Sequence, residues 1–202
     1  MRLAGIPDLQ LTRNEPLARH TRFELGGPAG IFAEALTEAA FINALRVLKY
    51  SSVRHLIVGA GTNLVVADAG FPGVVLTFSG SEISGSGTQA TVKAGASLQS
   101  LVDFAVGRGL KGLENMTGIP GQVGAAIYGN AGAYGSSISD FVIEVRYFDG
   151  ERVRSLDRGG CQFRYRGSIF KQRKDWLILS AVLEFQPSGS ATLTARAEEI
   201  LT

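Results

Sequence analysis

The 202-residue sequence has one cysteine, Cys161, two histidines and no long apolar run. A single thiol excludes a disulfide within the chain and makes the reducing cytoplasm the expected compartment. His20 and His55 stand far apart, with no Cys or Asp/Glu cluster at ligand spacing, so no metal is expected. Cys161 has no recognisable His partner and is expected to be inert, and no Ser-His-Asp arrangement can be drawn. No apolar stretch approaches the roughly 20 residues of a membrane helix. The start, "MRLAGIPDLQLTRNEP", lacks the unbroken apolar core of a signal peptide. Charge of one sign is also scarce: 20 basic against 18 acidic residues leave +2. That balance gives no footing for nucleic acid or membrane, whereas a small anionic ligand fits it. The expectation is a soluble, cytoplasmic, monomeric protein.

Apolar residues make up 45% and charged residues 19%, enough for a substantial core. Glycine is in excess. There are 26, against a usual share of about 7%, and nine fall between Gly107 and Gly135. Such clustering points to special backbone angles or to close approach of a ligand.

Four segments are expected: an arm over 1–17, an α/β unit over 18–80, a second over 81–188, and the start of a helix over 189–202. "GIFAEAL" reads as a strand, and Thr37 as the N-cap of a helix running to about Lys49, with Phe41, Ala44, Leu45 and Leu48 on one face. "RHLIVG", "LVVAD" and "GVVLTF" read as three short strands. "SGSEISGSGTQ" (79–89) is turn-rich and marks the domain seam. "ATVKAGA" is a strand, and Ser97 caps a helix to about Gly107. "FVIEVRYFDG" and "ERVRSLD" form a hairpin around Asp149-Gly150. "WLILSAVLEFQP" is a strand stopped by Pro187. "SGSATLTARAEEILT" begins a helix with no later element to pack on.

Three loops could carry chemistry. In "VGAGTNLVV", a strand runs into Gly59, Ala60, Gly61, Thr62, Asn63 and Leu64. Glycines there let consecutive N–H groups face one concavity and hold an anion. The loop is neither a Rossmann fingerprint, since Leu64 stands where the third glycine belongs, nor a P-loop, since no Gly-Lys-Ser/Thr follows. The blander reading is a tight turn between strands. In "TGIPGQVGAA", Pro120 fixes one backbone angle while Gly118, Gly121 and Gly124 free others, and "YGNAGAYG" repeats the device with Asn130 and Gly132. Small neutral surfaces of this kind suit a large flat or anionic ligand, or simply two tightly packed loops. Two glycine systems on two domains suggest a cleft for a dinucleotide. The third loop, "CQFRYRGSIFK", is dense in Tyr165, Arg166, Ser168 and Lys171. Arg166 could bind a carboxylate in bidentate fashion, and the commoner account is a solvated basic loop.

Taken together and in this order, "HTRFELGGPA", "VGAGTNLVVADAGFPGVVL", "GLENMTGIPGQVGAAIYGNAGAYG" and "YRGSIFK" resemble the UDP-N-acetylenolpyruvoylglucosamine reductases of bacterial cell-wall synthesis. The resemblance runs from about His20 to Phe185. It implies an α+β, vanillyl-alcohol-oxidase-type (PCMH-type) FAD-binding fold of two α/β subdomains, followed in the family by a substrate-binding domain. It also implies bound FAD, NADPH as hydride donor and a small UDP-sugar substrate. Residues 59–64 would cradle the pyrophosphate. Thr117, Gly118, Ile119, Pro120, Gly121 and Gly124, with Asn130 and Gly132, would line the rest of the cofactor. Arg166 matches the family's catalytic arginine and, with Tyr165, would meet the substrate.

The chain departs from the family pattern at Gly167, where many relatives carry Asp. The family's proton-donating serine and its late glutamate have no counterpart before Thr202, so a catalytically incomplete form is expected. Two alternatives stay open: a stand-alone FAD-binding module, and another oxidoreductase of the same FAD fold.

Overall fold

A computed structural model describes residues 2–202. These fall into two compact units that meet in sequence between Gly80 and Ser81.

The first unit is a four-stranded mixed sheet with one helix. β1 (Leu9–Pro16) pairs antiparallel with β2 (Pro28–Ala35), and α1 (Glu38–Lys49) follows. β3 (His55–Val58) and β2 both flank β4 (Phe71–Phe78) in parallel, giving the order β1-β2-β4-β3. β4 is central and buried on both faces from Gly73 onward, which is why "GVVLTF" is a continuous apolar run rather than an alternating one. Thr37 caps α1, its Oγ1 accepting from the Ala40 amide at 3.2 Å. The helix buries Ala40, Phe41, Ala44, Leu45 and Leu48, one face at helical spacing. Phe41 stacks on Phe78 with ring centres 5.2 Å apart. Each large apolar side chain removed from water here contributes roughly 1.5–3 kcal/mol.

The second unit is built on a five-stranded antiparallel sheet. β5 (Ile83–Ser86) and β6 (Gln89–Lys93) form a hairpin whose turn places Gly87 at φ +58°. α2 (Leu98–Gly107) follows, then the short α3 (Val123–Gly129). β7 (Val142–Phe148), β8 (Val153–Asp157), α4 (Ile169–Gln172), β9 (Leu177–Glu184) and α5 (Ser190–Leu201) complete it. The strand order is β8-β7-β9-β6-β5. Ser97 caps α2, its Oγ accepting from the Ser100 amide at 2.9 Å. Replacing Ser97 with Ala is expected to remove about 1 kcal/mol. Urea unfolding should show a lower midpoint at unchanged slope, and an unmoved midpoint would mean the cap contributes nothing.

Several expectations are corrected. Residues 9–16 of the expected arm are β1, joined to β2 by a regular ladder, and Leu3 and Leu17 are buried. "LVVAD" forms no strand. The Ala67 carbonyl instead accepts from the Gly27 and Gly70 amides at 3.0 and 2.9 Å, folding the segment into a turn, and Val65 is 70% exposed. The 79–89 seam contains β5. The hairpin expected around Asp149-Gly150 does form, β7 pairing antiparallel with β8, and it closes through the four residues 149–152. The Asp149 Oδ1 atom accepts from the amides of Glu151 and Arg152 at 2.9 and 2.8 Å, and these bonds set the longer turn. The Arg152 amide first, with Arg154 beside it, holds the Asp149 carboxyl well below the usual carboxylate range. β9 ends at Glu184, and Gln186–Pro187 pairs separately with Leu110–Lys111. α5 does find a packing partner: Leu193 is 3% exposed against the core of the second unit, and the Arg196 Nε donates to Asn115 Oδ1 at 3.1 Å. No helix among the described residues is long and apolar enough to cross a membrane.

Candidate cofactor and substrate site

In the first unit, β3 runs directly into residues 59–64. Gly61 has φ +62°, and a Cβ there would lie 1.8 Å from the His20 carbonyl oxygen. The Arg22 amide donates to the Gly61 carbonyl at 3.3 Å. His20 is itself fixed, stacked on Phe32 with ring centres 3.9 Å apart, its Nε2 3.1 Å from the Glu15 carboxylate. "HTRFELGG" therefore backs the glycine loop, and the glycine is required by contact with the chain itself. The main-chain amides of Ala60, Gly61, Thr62 and Asn63 make no hydrogen bond among the described residues. Gly59, Ala60 and Asn63 are exposed, and Thr62 and Leu64 half-buried. Four consecutive amides, one of them on the left-handed Gly61, are left unspent, and successive amides of this kind are donors suited to a diphosphate.

The second unit's glycine stretch serves internal packing more than the sequence implied. Thr117 is buried and its hydroxyl donates to the Glu114 carbonyl at 2.8 Å. The Gly118 amide donates to Gln99 Oε1 at 2.8 Å, and the Ile119 amide to the Met116 carbonyl at 3.1 Å. The Gly124 amide donates to the Ala94 carbonyl at 2.8 Å, and a Cβ on Gly124 would meet the Ala94 Cβ at 2.9 Å. Gly132 lies 2.4 Å, measured from its absent Cβ, from the Ser136 carbonyl. Pro120 is exposed. Gly121 has φ +124°, and its carbonyl accepts from the Leu98 amide at 2.8 Å. The half-buried Gly121 keeps its amide unspent among the described residues, while its carbonyl is taken by Leu98. Gln99, the second residue of α2, fixes the loop and was not legible, because nothing in the sequence couples position 99 to position 118.

Arg166 crowns a tight turn. Arg164 and Gly167 exchange both main-chain hydrogen bonds, at 3.0 and 3.1 Å, and Arg166 sits between them at φ +52°. A non-glycine residue there costs of order 1–3 kcal/mol, and such strain gathers at working sites. Tyr165 is 91% exposed, its ring centre 5.9 Å from the Arg166 guanidinium carbon. The structure brings Asn130 to this turn: its Nδ2 donates to the Arg164 carbonyl at 3.1 Å. Ser168 is fully buried, and its hydroxyl donates to the Tyr128 carbonyl at 2.9 Å.

Cys161, whose carbonyl accepts from the Ile169 amide at 2.8 Å, is fully buried. Burial, with the Asp157 charge secondary, pushes its thiol from 9.0 to about 12. It should resist iodoacetamide at pH 8 for as long as the protein is folded; rapid alkylation would contradict that. The unfolded thiol ionises first, so this group's contribution to stability is complete below pH 9 and is lost as pH rises towards 12. No group of three or more His, Cys, Asp or Glu residues able to hold a metal occurs among the described residues.

Residues 29–153 match a family model described as an FAD binding domain, which spans more than half of the chain. The chain belongs to the FAD binding domain family. This domain is 51% identical over 201 residues to a UDP-N-acetylenolpyruvoylglucosamine reductase of Solibacter usitatus, covering 100% of the chain and 64% of that relative. It thus spans just under two thirds of the relative's length. Among solved structures, a UDP-N-acetylenolpyruvylglucosamine reductase from Thermus caldophilus matches with TM-score 0.77 and 27% identity, over 95% of this chain and 67% of that one. A solvent-stable cholesterol oxidase matches with TM-score 0.66 at 16% identity, over 91% of this chain and 39% of that one, a likeness of fold. The α+β, vanillyl-alcohol-oxidase-type fold of two α/β subdomains and the FAD cofactor expected from the sequence both stand.

Proposed function

We propose that this FAD-binding domain is the cofactor-holding body of a cytoplasmic, monomeric, NADPH-dependent UDP-N-acetylenolpyruvoylglucosamine reductase, forming UDP-N-acetylmuramate for the cell wall. The observation that carries the reading is Arg166, held exposed and in a left-handed conformation on "YRGS", in a chain 51% identical to a reductase of that name. Bound FAD supplies two-electron hydride carriage from NADPH to the enolpyruvyl double bond.

The chain's own residues have distinct tasks. Gly59, Ala60, Gly61, Thr62, Asn63 and Leu64 hold the diphosphate, chiefly by the amides of 60–63. Thr117, Gly118, Ile119, Pro120, Gly121 and Gly124 shape the second loop, with Pro120 and Gly121 presented to the cofactor. Arg166 grips the substrate carboxylate and stabilises the negative charge that spreads onto it as hydride arrives, the kind of electrostatic assistance worth about 10²–10³ in rate. Tyr165 stands beside that charge. The buried Ser168 hydroxyl is spent on the Tyr128 carbonyl, so we assign Ser168 to the Arg166 turn and not to proton donation. The proton that completes the reduction comes from another group.

The test is anaerobic mixing of NADPH-reduced, FAD-loaded protein of full family length with UDP-N-acetylglucosamine enolpyruvate. Oxidation of the cofactor with formation of a product two hydrogens heavier supports the reading. A reduced cofactor that oxygen oxidises and this substrate does not would overturn it, and would favour another oxidoreductase of the same fold.

A further inference from the structure

The Arg166 turn is attached to one place, the C-terminal end of α3, and on both of its limbs. On the entering limb, Asn130 Nδ2 donates to the Arg164 carbonyl at 3.1 Å, while its Oδ1 accepts from the Ser139 amide at 3.3 Å. On the leaving limb, the Ser168 hydroxyl reaches the Tyr128 carbonyl at 2.9 Å. The apex is held separately: Lys171 Nζ donates to the carbonyl of Arg166 itself at 3.0 Å. Asn130 is left-handed at φ +46° and caps α3, so its carboxamide is aimed sideways at the turn instead of along the helix. The N-terminal end of the same seven-residue helix starts just after Pro120 and Gly121.

We propose that Asn130, Ser168 and Lys171 are positioning residues for Arg166. They hold its strained turn against α3 and so fix the guanidinium relative to the Pro120-Gly121 loop. Asn130 thereby acts on the arginine turn and not on the cofactor. A carboxamide on Asn130 spent on the Arg164 carbonyl and a buried hydroxyl on Ser168 spent on the Tyr128 carbonyl tie both sides of one exposed arginine to the end of α3, which is what a rigid mount requires. A displacement of about 1 Å at a reacting group can cost roughly 10²-fold in rate.

The catalytic meaning of this mount rests on the reductase reading; the mount itself does not, and the two are tested separately. In FAD-loaded protein of full family length, Asn130→Gly keeps the left-handed backbone and removes the carboxamide, and Ser168→Ala removes the hydroxyl. Each should slow oxidation of the reduced cofactor by the enolpyruvyl substrate by about 10–100-fold, with FAD retention and the NADPH step unchanged. Combined with Arg166→Ala, neither should slow it further than Arg166→Ala does alone, since a mount has nothing left to place. Full multiplication of the two losses, or rates equal to the parent's, would overturn the proposal. If Arg166→Ala itself leaves that step unchanged, the reductase reading falls. The mount then stands or falls on limited trypsin digestion of the 202-residue chain. Cleavage after Arg166 should accelerate about tenfold in Asn130→Gly and Ser168→Ala, a mark of local opening, with other sites unaffected. Parental cleavage rates would remove the mount.

Discussion

Gly61→Ala is expected to destabilise the first unit by about 2–5 kcal/mol and to strip FAD from the protein. Two independent penalties meet at this position. The backbone is at φ +62°, which L side chains rarely adopt, and the new methyl would lie 1.8 Å from the His20 carbonyl oxygen. His20 cannot give way cheaply, because it is stacked on Phe32 and 3.1 Å from the Glu15 carboxylate. Relief would have to come from the loop, which would carry the amides of 60–63 out of register with a diphosphate. Urea unfolding and FAD retention on gel filtration measure both effects. Parental stability with FAD retained would show that the loop tolerates a side chain and that its geometry is not what holds the cofactor.

On the proposed reductase reading, and in FAD-loaded protein of full family length, Arg166→Ala is expected to slow cofactor oxidation by the enolpyruvyl substrate by about 10²–10³-fold while leaving FAD bound. Arg166→Gly should be equally slow and yet more stable than Arg166→Ala by about 1 kcal/mol, because glycine occupies φ +52° without strain and alanine does not. Stopped-flow mixing gives the rate, and thermal unfolding gives the stability difference. An unaltered rate in either variant would remove Arg166 from its role. A glycine variant no more stable than the alanine one would mean that the turn stores no strain.

Legibility in the sequence followed the kind of force involved. α1 and α2 could be read to within a residue or two, because Thr37 and Ser97 cap them and their apolar residues recur on one face. β1 could not. Its side chains are mostly exposed, and it is held by main-chain pairing to β2, which leaves no apolar pattern in "LQLTRNEP". "LVVAD" misled for the opposite reason: it has strand composition, but the Ala67 carbonyl is taken by the Gly27 and Gly70 amides and no ladder forms.

The site was legible as a set of loops and less so as a set of roles. The excess of glycine read as room for a ligand. At Gly61, Gly124 and Gly132 it is first of all room for neighbouring backbone or Ala94. Gln99 and the Asn130 link to Arg164 depend on contacts between residues 19 and 34 positions apart, which no local pattern encodes.

The most direct test of the account is a visible absorbance spectrum of the purified chain after incubation with FAD and removal of the excess. A retained flavin band with resolved vibronic structure is the expected result, and it should be lost in Gly61→Ala. A folded, colourless protein would contradict the assignment of residues 60–63 as the diphosphate-holding loop of this FAD-binding domain.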